Sequence, residues 1–227
     1  MSASYPKTRL RRTRATGWSR ALHRETHLTP ADLIWPLFVT GGDAEEPIGA
    51  LPGVSRWPLS QIGARAKEAM ALGIPCVALF PNTEADKRSE RGDEAFNPDN
   101  LMCRAIKAIR DACGEGIGIL TDVALDPYTS HGQDGVLDGT GYVANDETVA
   151  ILVDQALNQA EAGADIVAPS DMMDGRIGAI RMALEMGGHH NVQIMSYAAK
   201  YASAFYGPFR EAVGSGGLLK GDKKTYQ

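Results

Sequence analysis

The sequence predicts an α/β protein built on a parallel sheet, and two observations carry that reading. Short apolar runs alternate with helical segments along most of the 227 residues. That is the pattern of strands joined by right-handed crossovers. Polar, chemically capable residues also recur where those apolar runs end. At 44% hydrophobic and 22% charged residues, the chain has an ordinary globular composition, long enough for one large domain or two small ones.

The elements follow in order. Residues 33–39 form the first apolar run and read as a strand. Residues 59–72 have helical spacing, with Leu59, Ile62, Ala66, Ala69 and Met70 on one side. A second strand is expected over 74–80. A helix over 100–112 places Leu101, Ala105, Ile106 and Ile109 on one stripe, and 117–124 is the third strand. Residues 146–162 make a strong helix, capped by Asn145 or Asp146 and ended by Gly163. A short fourth strand at 166–169, a helix over 177–186 and a fifth strand at 192–195 complete the series.

Two architectures fit a parallel sheet: the open doubly wound sheet and the closed (β/α)8 TIM barrel. No G-x-G-x-x-G follows the first strand, which weighs against a dinucleotide site. Asp122 lies near the end of the third strand, Ser170 and Asp171 at the end of the fourth, and Ser196 and Lys200 at the end of the fifth. In a barrel these ends share one mouth, where active sites sit. Any one of them alone would pass for a helix cap.

Charge is uneven. Residues 1–24 hold seven basic side chains and no acid; removing that +7 from the net −5 leaves residues 25–227 at −12. A basic arm on an acidic body is consistent with packing against an acidic neighbouring subunit, or with a solvated tail. No aromatic-interleaved patch or reading helix follows it, so nucleic acid is not an expected partner. No apolar stretch is long enough to cross a bilayer, and no apolar core follows the basic N-terminus, so neither a membrane partner nor a secretory signal is expected. Cys76, Cys103 and Cys113 lack metal-ligand spacing and fit a reducing, cytoplasmic setting.

Three segments carry chemistry. The run TDVALDPYTSHGQDG, residues 121–135, gathers Asp122, Asp126, His131 and Asp134 in one loop after a strand. That set could bind a hard divalent cation or hydrogen-bond the loop to itself. The run APSDMMDGRIGAIR, residues 168–181, places Ser170, Asp171 and Asp174 before a helix, where turn and cap duty competes with function. Residues 196–227 form a long, glycine-bearing stretch rich in Lys, Arg and Tyr, suited to a lid that clamps an anion. Arg210 and Lys223 would hold a carboxylate there. Lys200 is placed to lose water around its ammonium; desolvation and neighbouring cations would lower its pKa and free an amine to attack a carbonyl.

These segments, in this order, closely resemble the porphobilinogen synthase (5-aminolevulinate dehydratase) family. The resemblance runs from about Leu10 to Gln227 through FPNTEADKRSERGDEAFNPDN, DVALDPYTSHGQDG, NDETV, QAEAGADIVAPSDMMDGRIGAIR, MSYAAKYASAFYGPFR and KGDKKTYQ. It implies a (β/α)8 TIM barrel with an N-terminal arm that joins subunits, commonly into homo-octamers. The implied reaction condenses two molecules of 5-aminolevulinate to porphobilinogen through lysine Schiff bases. Lys200 resembles the Schiff-base lysine, Asp122 a proton-transfer carboxylate and Ser170 a substrate-binding hydroxyl. Arg210, Lys223 and Gln227 resemble the lid groups that hold a substrate carboxylate, with Tyr206 and Phe209 in the same lid.

Zinc-type members carry three cysteines where this chain has Ala124, Asp126 and Asp134. The resemblance is therefore to the aspartate-rich branch, with magnesium as an allosteric activator, Asp126 and Asp134 as candidate metal ligands, and no zinc site of the thiolate type. The family's usual magnesium ligand, and a second Schiff-base lysine in a Met-Val-Lys-Pro-like motif, belong to sequence that would follow Gln227. The expectation is thus a C-terminally truncated family member: a basic arm over 1–30 and a partial barrel of about five strands over 31–227. An inactive remnant that associates with full-length subunits is the alternative, and a one-lysine Schiff-base aldolase is a third reading.

Overall fold

A computed structural model describes residues 4–219 and 221–227. Residues 1–3 of the basic arm, and Lys220 at the head of KGDKKTYQ, lie outside the described residues. The parallel strands are β1 (Ile34–Thr40), β4 (Cys76–Asn82), β5 (Gly118–Val123), β6 (Ile166–Pro169) and β7 (Gln193–Ile194). Each pairs with the next in that order, from Ile34↔Cys76 at one end to Val167↔Ile194 at the other. The expected runs overlap all five.

The sheet has two further strands. β3 (Ser55–Pro58) pairs parallel to β1, and β2 (Glu46–Pro47) pairs antiparallel to β3, giving the order β2-β3-β1-β4-β5-β6-β7. These short, proline-bearing pieces have no readable period, and only pairing with β1 makes them strands.

Four helices connect the parallel strands: α2 (Leu59–Ala71), α3 (Leu101–Cys113), α4 (Asn145–Ala162) and α5 (Arg176–Met186). Their apolar stripes bury against one face only. Leu37, Val39, Val77, Leu79 and Ile119 meet α2 and α3, while Val123 and Val167 meet α4 and α5. The alternate residues Phe38, Ala78, Phe80, Leu120 and Ala168 form a separate cluster on the other face, away from those helices. Consecutive strand order with helices on one face is the geometry of a barrel wall, and it lacks the order reversal of a doubly wound sheet. Among the described residues the wall is open, with six parallel strands (one more than the five expected) against the eight that close a barrel.

Of the expected caps, only the Gly163 stop of α4 is found; the α3 cap was not foreseen. Asn100 caps α3 by accepting from the Cys103 N–H at 2.8 Å, and Gly163 ends α4 at φ +110°. Neither Asn145 nor Asp146 caps α4: Ala144 holds that position, and Asn145 instead exchanges hydrogen bonds with the Asp174 backbone at 2.8 and 3.2 Å. Residues 4–29 carry α1 (Gly17–Leu22), and Ser19 is the one buried side chain among them. Beyond β7 the chain runs irregularly to α6 (Gly207–Ala212). Arg56 and Arg88 grip its C-terminal carbonyls, donating to Ala212 O at 2.7 Å and Gly214 O at 2.9 Å.

Candidate active site

The inner-face alternation delivers the polar groups. Asp122 follows Leu120 on that face of β5, and Ser170 follows Ala168 just past β6. Two glutamines of α4 hold the end of β5 from behind. Gln159 Nε2 donates to Asp122 O at 2.9 Å, and Gln155 Nε2 to Ala124 O at 3.2 Å. Both are fully buried, one helical turn apart on the apolar stripe. Sequence reasoning passed over them; a polar pair at i and i+4 within a buried stripe was the available signal.

Lys200, Ser170 and Asp122 converge at the strand ends. Lys200 Nζ donates to Ser170 O at 2.8 Å, and Ser170 Oγ donates to Asp122 Oδ1 at 2.7 Å. They line one cavity of about 400 Å³, walled by Trp35, Phe38, Phe80, Tyr197, Tyr206 and Phe209. Tyr206 presents its ring to Lys200, with the centroid 5.7 Å from Nζ, and Phe209 packs edge-on to Phe80 at 5.2 Å. The larger hollow beside Tyr5, Arg9 and Arg12 is an open groove in the basic arm.

Behind Lys200 lies a buried charge cluster. Lys223 Nζ donates to Asp134 Oδ1 at 3.0 Å and lies 3.7 Å from Asp126 Oδ2. Gln227 Nε2 donates to Asp134 Oδ2 at 2.7 Å, and Lys200 Nζ is 3.8 Å from the same oxygen. Tyr226 closes the network, accepting from the Asp134 N–H at 3.2 Å and donating to Gln133 Oε1. Tyr226 and Gln133 were not among the expected site residues; only folding brings them together.

The electrostatics reverse one expectation. Burial alone would lower the Lys200 pKa, but the carboxylates of Asp134, Asp126 and Asp122 outweigh it and move it upward. Lys200 is an ammonium. The low-pKa reading counted cations nearby in sequence, whereas in space Lys200 faces three carboxylates. Burial lifts Asp122 to about 6, against the pull of Lys200 and the Ser170 hydroxyl. Burial likewise lifts Asp126, opposed by Lys223. Asp134 is also buried, yet the ammonium groups of Lys200 and Lys223 hold it below the usual carboxylate range. Asp171 rises to about 6 through burial, offset by the Met173 N–H and Arg176.

The remaining candidates are placed differently. Arg210 sits half-buried on α6, outside the residues that line the cavity, and no side-chain hydrogen bond or ion pair engages its guanidinium among the described residues. Lys223 and Gln227 bind Asp134 and do not line the cavity. As metal ligands, Asp126 and Asp134 do not fit. Their carboxylates flank the Lys223 ammonium, and among the described residues no three His, Cys, Asp or Glu side chains gather to hold an ion.

Comparisons with known proteins place the fold in a family. A family model described as Delta-aminolevulinic acid dehydratase matches residues 7–227. The Delta-aminolevulinic acid dehydratase of Bradyrhizobium diazoefficiens is 58% identical over 220 residues, covering 96% of this chain and 62% of its own length. That of Rhodobacter capsulatus is 49% identical, over 98% of this chain and 67% of its own. A crystal structure of Toxoplasma gondii delta-aminolevulinic acid dehydratase (porphobilinogen synthase), in complex with the reaction product porphobilinogen, aligns with a TM-score of 0.93 at 45% identity. The alignment covers 97% of this chain and 62% of that one. The chain thus spans about two thirds of the length of these relatives, and it belongs to the delta-aminolevulinic acid dehydratase family.

Proposed function

We propose that this chain supplies the Lys200 Schiff base in the condensation of two 5-aminolevulinate molecules to porphobilinogen, a lyase reaction of tetrapyrrole and haem biosynthesis. The observation that carries the reading is the buried Lys200 ammonium at the cavity wall, bonded to Ser170 O and faced by Asp134.

The chemistry follows from the charges. Lys200 must first give up a proton, and the raised pKa values of Asp122 and Asp126 make these carboxylates fitting acceptors. The neutral amine adds to the substrate ketone, and the carbinolamine loses water to leave a protonated imine. The imine cation occupies the place of the ammonium, in the same fixed field of carboxylates, so the environment that holds the charge on Lys200 also stabilises the intermediate. Ser170 Oγ, already oriented by Asp122, is a substrate hydrogen-bonding group. The apolar wall excludes water and shelters the imine from hydrolysis. Arg210, half-buried on α6 beside Phe209 of the cavity wall, is the proposed cation for the substrate carboxylate. Lys223 and Gln227 join it by exchanging Asp134 for substrate, and Tyr206 covers Lys200.

The basic arm is the proposed oligomer contact, with a homo-octamer as the assembly. Its support is the exposure of Tyr5, Leu10, Trp18, Leu22 and Leu28, each between 72% and 80%. Among the described residues no helix is long and apolar enough to cross a membrane, and free cysteines support a cytoplasmic location. Magnesium, the allosteric ion of the aspartate-rich pattern, is assigned no ligand on this chain, and no step passes through it.

The test is pyrrole formation from 5-aminolevulinate, read colorimetrically, for the protein and its Lys200→Ala variant. Loss of product in the variant supports the role. Near-normal turnover in the variant overturns it. A parent that makes no pyrrole but co-purifies with an intact family member would favour the remnant reading.

A further inference from the structure

Ser170 and Lys200 sit on different loops, and one side chain spans both. Arg176 opens α5. Its Nη1 donates to Met173 O at 3.0 Å and its Nη2 to Tyr197 O at 3.0 Å, while Nε lies 3.1 Å from Asp171 Oδ1. Asp171 is fully buried, and its second oxygen accepts from the Met173 N–H at 2.8 Å. Between these bonds Met172 has φ +71°, the one positive φ outside glycine among the described residues. Such a conformation persists where its surroundings over-determine it. Here the surroundings are Asp171 and Arg176, which between them hold both polar groups of the Met173 backbone.

The other end of the fork matters more. β7 pairs with β6 at only two positions, and the last ladder-like bond is Tyr197 N–H to Pro169 O at 3.2 Å. No regular structure covers the chain from there to Lys200. The bond from Arg176 to Tyr197 O adds a second tie at the same residue, beside the Pro169 bond, and fixes the direction in which the chain leaves toward Lys200. A guanidinium can fork to the Met173 and Tyr197 carbonyls while its Nε side lies against the Asp171 carboxylate, which the single nitrogen of a lysine does not match.

We infer that Arg176 is a positioning residue: it locks the Ser170 loop to the Tyr197 segment, and so holds Lys200 Nζ at the Ser170 carbonyl. Arg176 does not line the cavity and acts through its neighbours. The consequence for chemistry rests on Lys200 being the Schiff-base amine, whereas the positioning itself does not.

The experiment compares the protein with Arg176→Lys, Arg176→Met and the charge-neutral pair Asp171→Asn/Arg176→Met. The pair carries the test if Arg176→Met alone fails to fold. One readout needs no substrate: a brief pulse of acetic anhydride, with each lysine quantified by peptide mass spectrometry. Lys200 labelling is expected to rise several-fold in the folded variants while Lys223 labelling stays constant. The second readout is borohydride trapping with 5-aminolevulinate. The saturating rate is expected to fall by up to about a hundredfold, with the half-saturating concentration unchanged. Unchanged Lys200 labelling in the folded variants overturns the inference. Raised labelling in variants of a parent that forms no adduct upholds the positioning and refutes the Schiff-base role instead.

Discussion

Lys223 reaches across 89 residues of chain to donate to Asp134 Oδ1 at 3.0 Å, and both side chains are almost wholly buried. Removing the ammonium would leave Asp134 with only Lys200 and Gln227 as partners among the described residues, and Asp126, already lifted by burial, without its cation. Lys223→Met is therefore expected to cost about 3–5 kcal/mol at neutral pH. The sign with pH follows from Asp134. Its folded pKa is depressed, so its contribution is present above the unfolded value and lost as pH falls through the folded one. The variant's deficit should shrink in acid, where the orphaned carboxylates take up protons. Urea midpoints across the acidic range check this; a deficit that grows on acidification would contradict it.

Asp122 sets a second pH dependence. With its pKa lifted to about 6, it is a proton acceptor above that pH and neutral below it. Imine formation at Lys200 should rise with pH through an inflection near that value. Asp122→Asn should abolish the inflection and slow the reaction by roughly a hundredfold or more. The stability sign is opposite to that of Asp134. A raised carboxylate pKa favours folding below the unfolded value and loses that contribution as pH rises through about 6. A pH–rate profile of both proteins is the measurement.

Arg110 makes a purely structural prediction. Its guanidinium ties α3 to the β5 and β6 entrances, donating to Gly163 O at 2.8 Å, to Ile117 O at 3.1 Å and to the Asp165 carboxylate. Arg110→Met should lower stability by about 2–3 kcal/mol through lost charged hydrogen bonds. Lys200 adduct formation should keep its pH profile. Chemical denaturation and trapping, measured together, separate the two effects.

Gly135 is a packing constraint next to Asp134. A Cβ there would lie 2.5 Å from Thr148 Oγ1 and 2.6 Å from Val143 Cγ1. That hydroxyl also accepts from the Val136 N–H at 3.0 Å. Gly135→Ala should cost about 1–3 kcal/mol by overpacking. It should also raise Lys223 labelling by acetic anhydride as Asp134 shifts.

The parallel wall was legible because β1, β4, β5 and β6 are apolar runs bounded by turns, and α3 carries its stripe openly. β2 and β3 were not, because Pro47 and Pro58 interrupt any period and pairing alone defines them. The convergence of Asp122, Ser170 and Lys200 was readable from their positions at strand ends. The charge state of Lys200 was not, since Asp134 and Asp126, the carboxylates that raise its pKa most, come from the distant loop after β5. Asp171 read equally as a turn or cap residue before a helix, and Arg176 carried no signal of its own. Their reach to Tyr197 depends on where β7 ends, which no local pattern states.

Reductive trapping identifies the Schiff-base amine directly. The protein is incubated with 5-aminolevulinate, reduced with borohydride and mapped by peptide mass spectrometry. One reduced-imine adduct is expected, on Lys200, absent from Lys200→Ala. An adduct on Lys223 with Lys200 unmodified, or an adduct that survives in the variant, would contradict it.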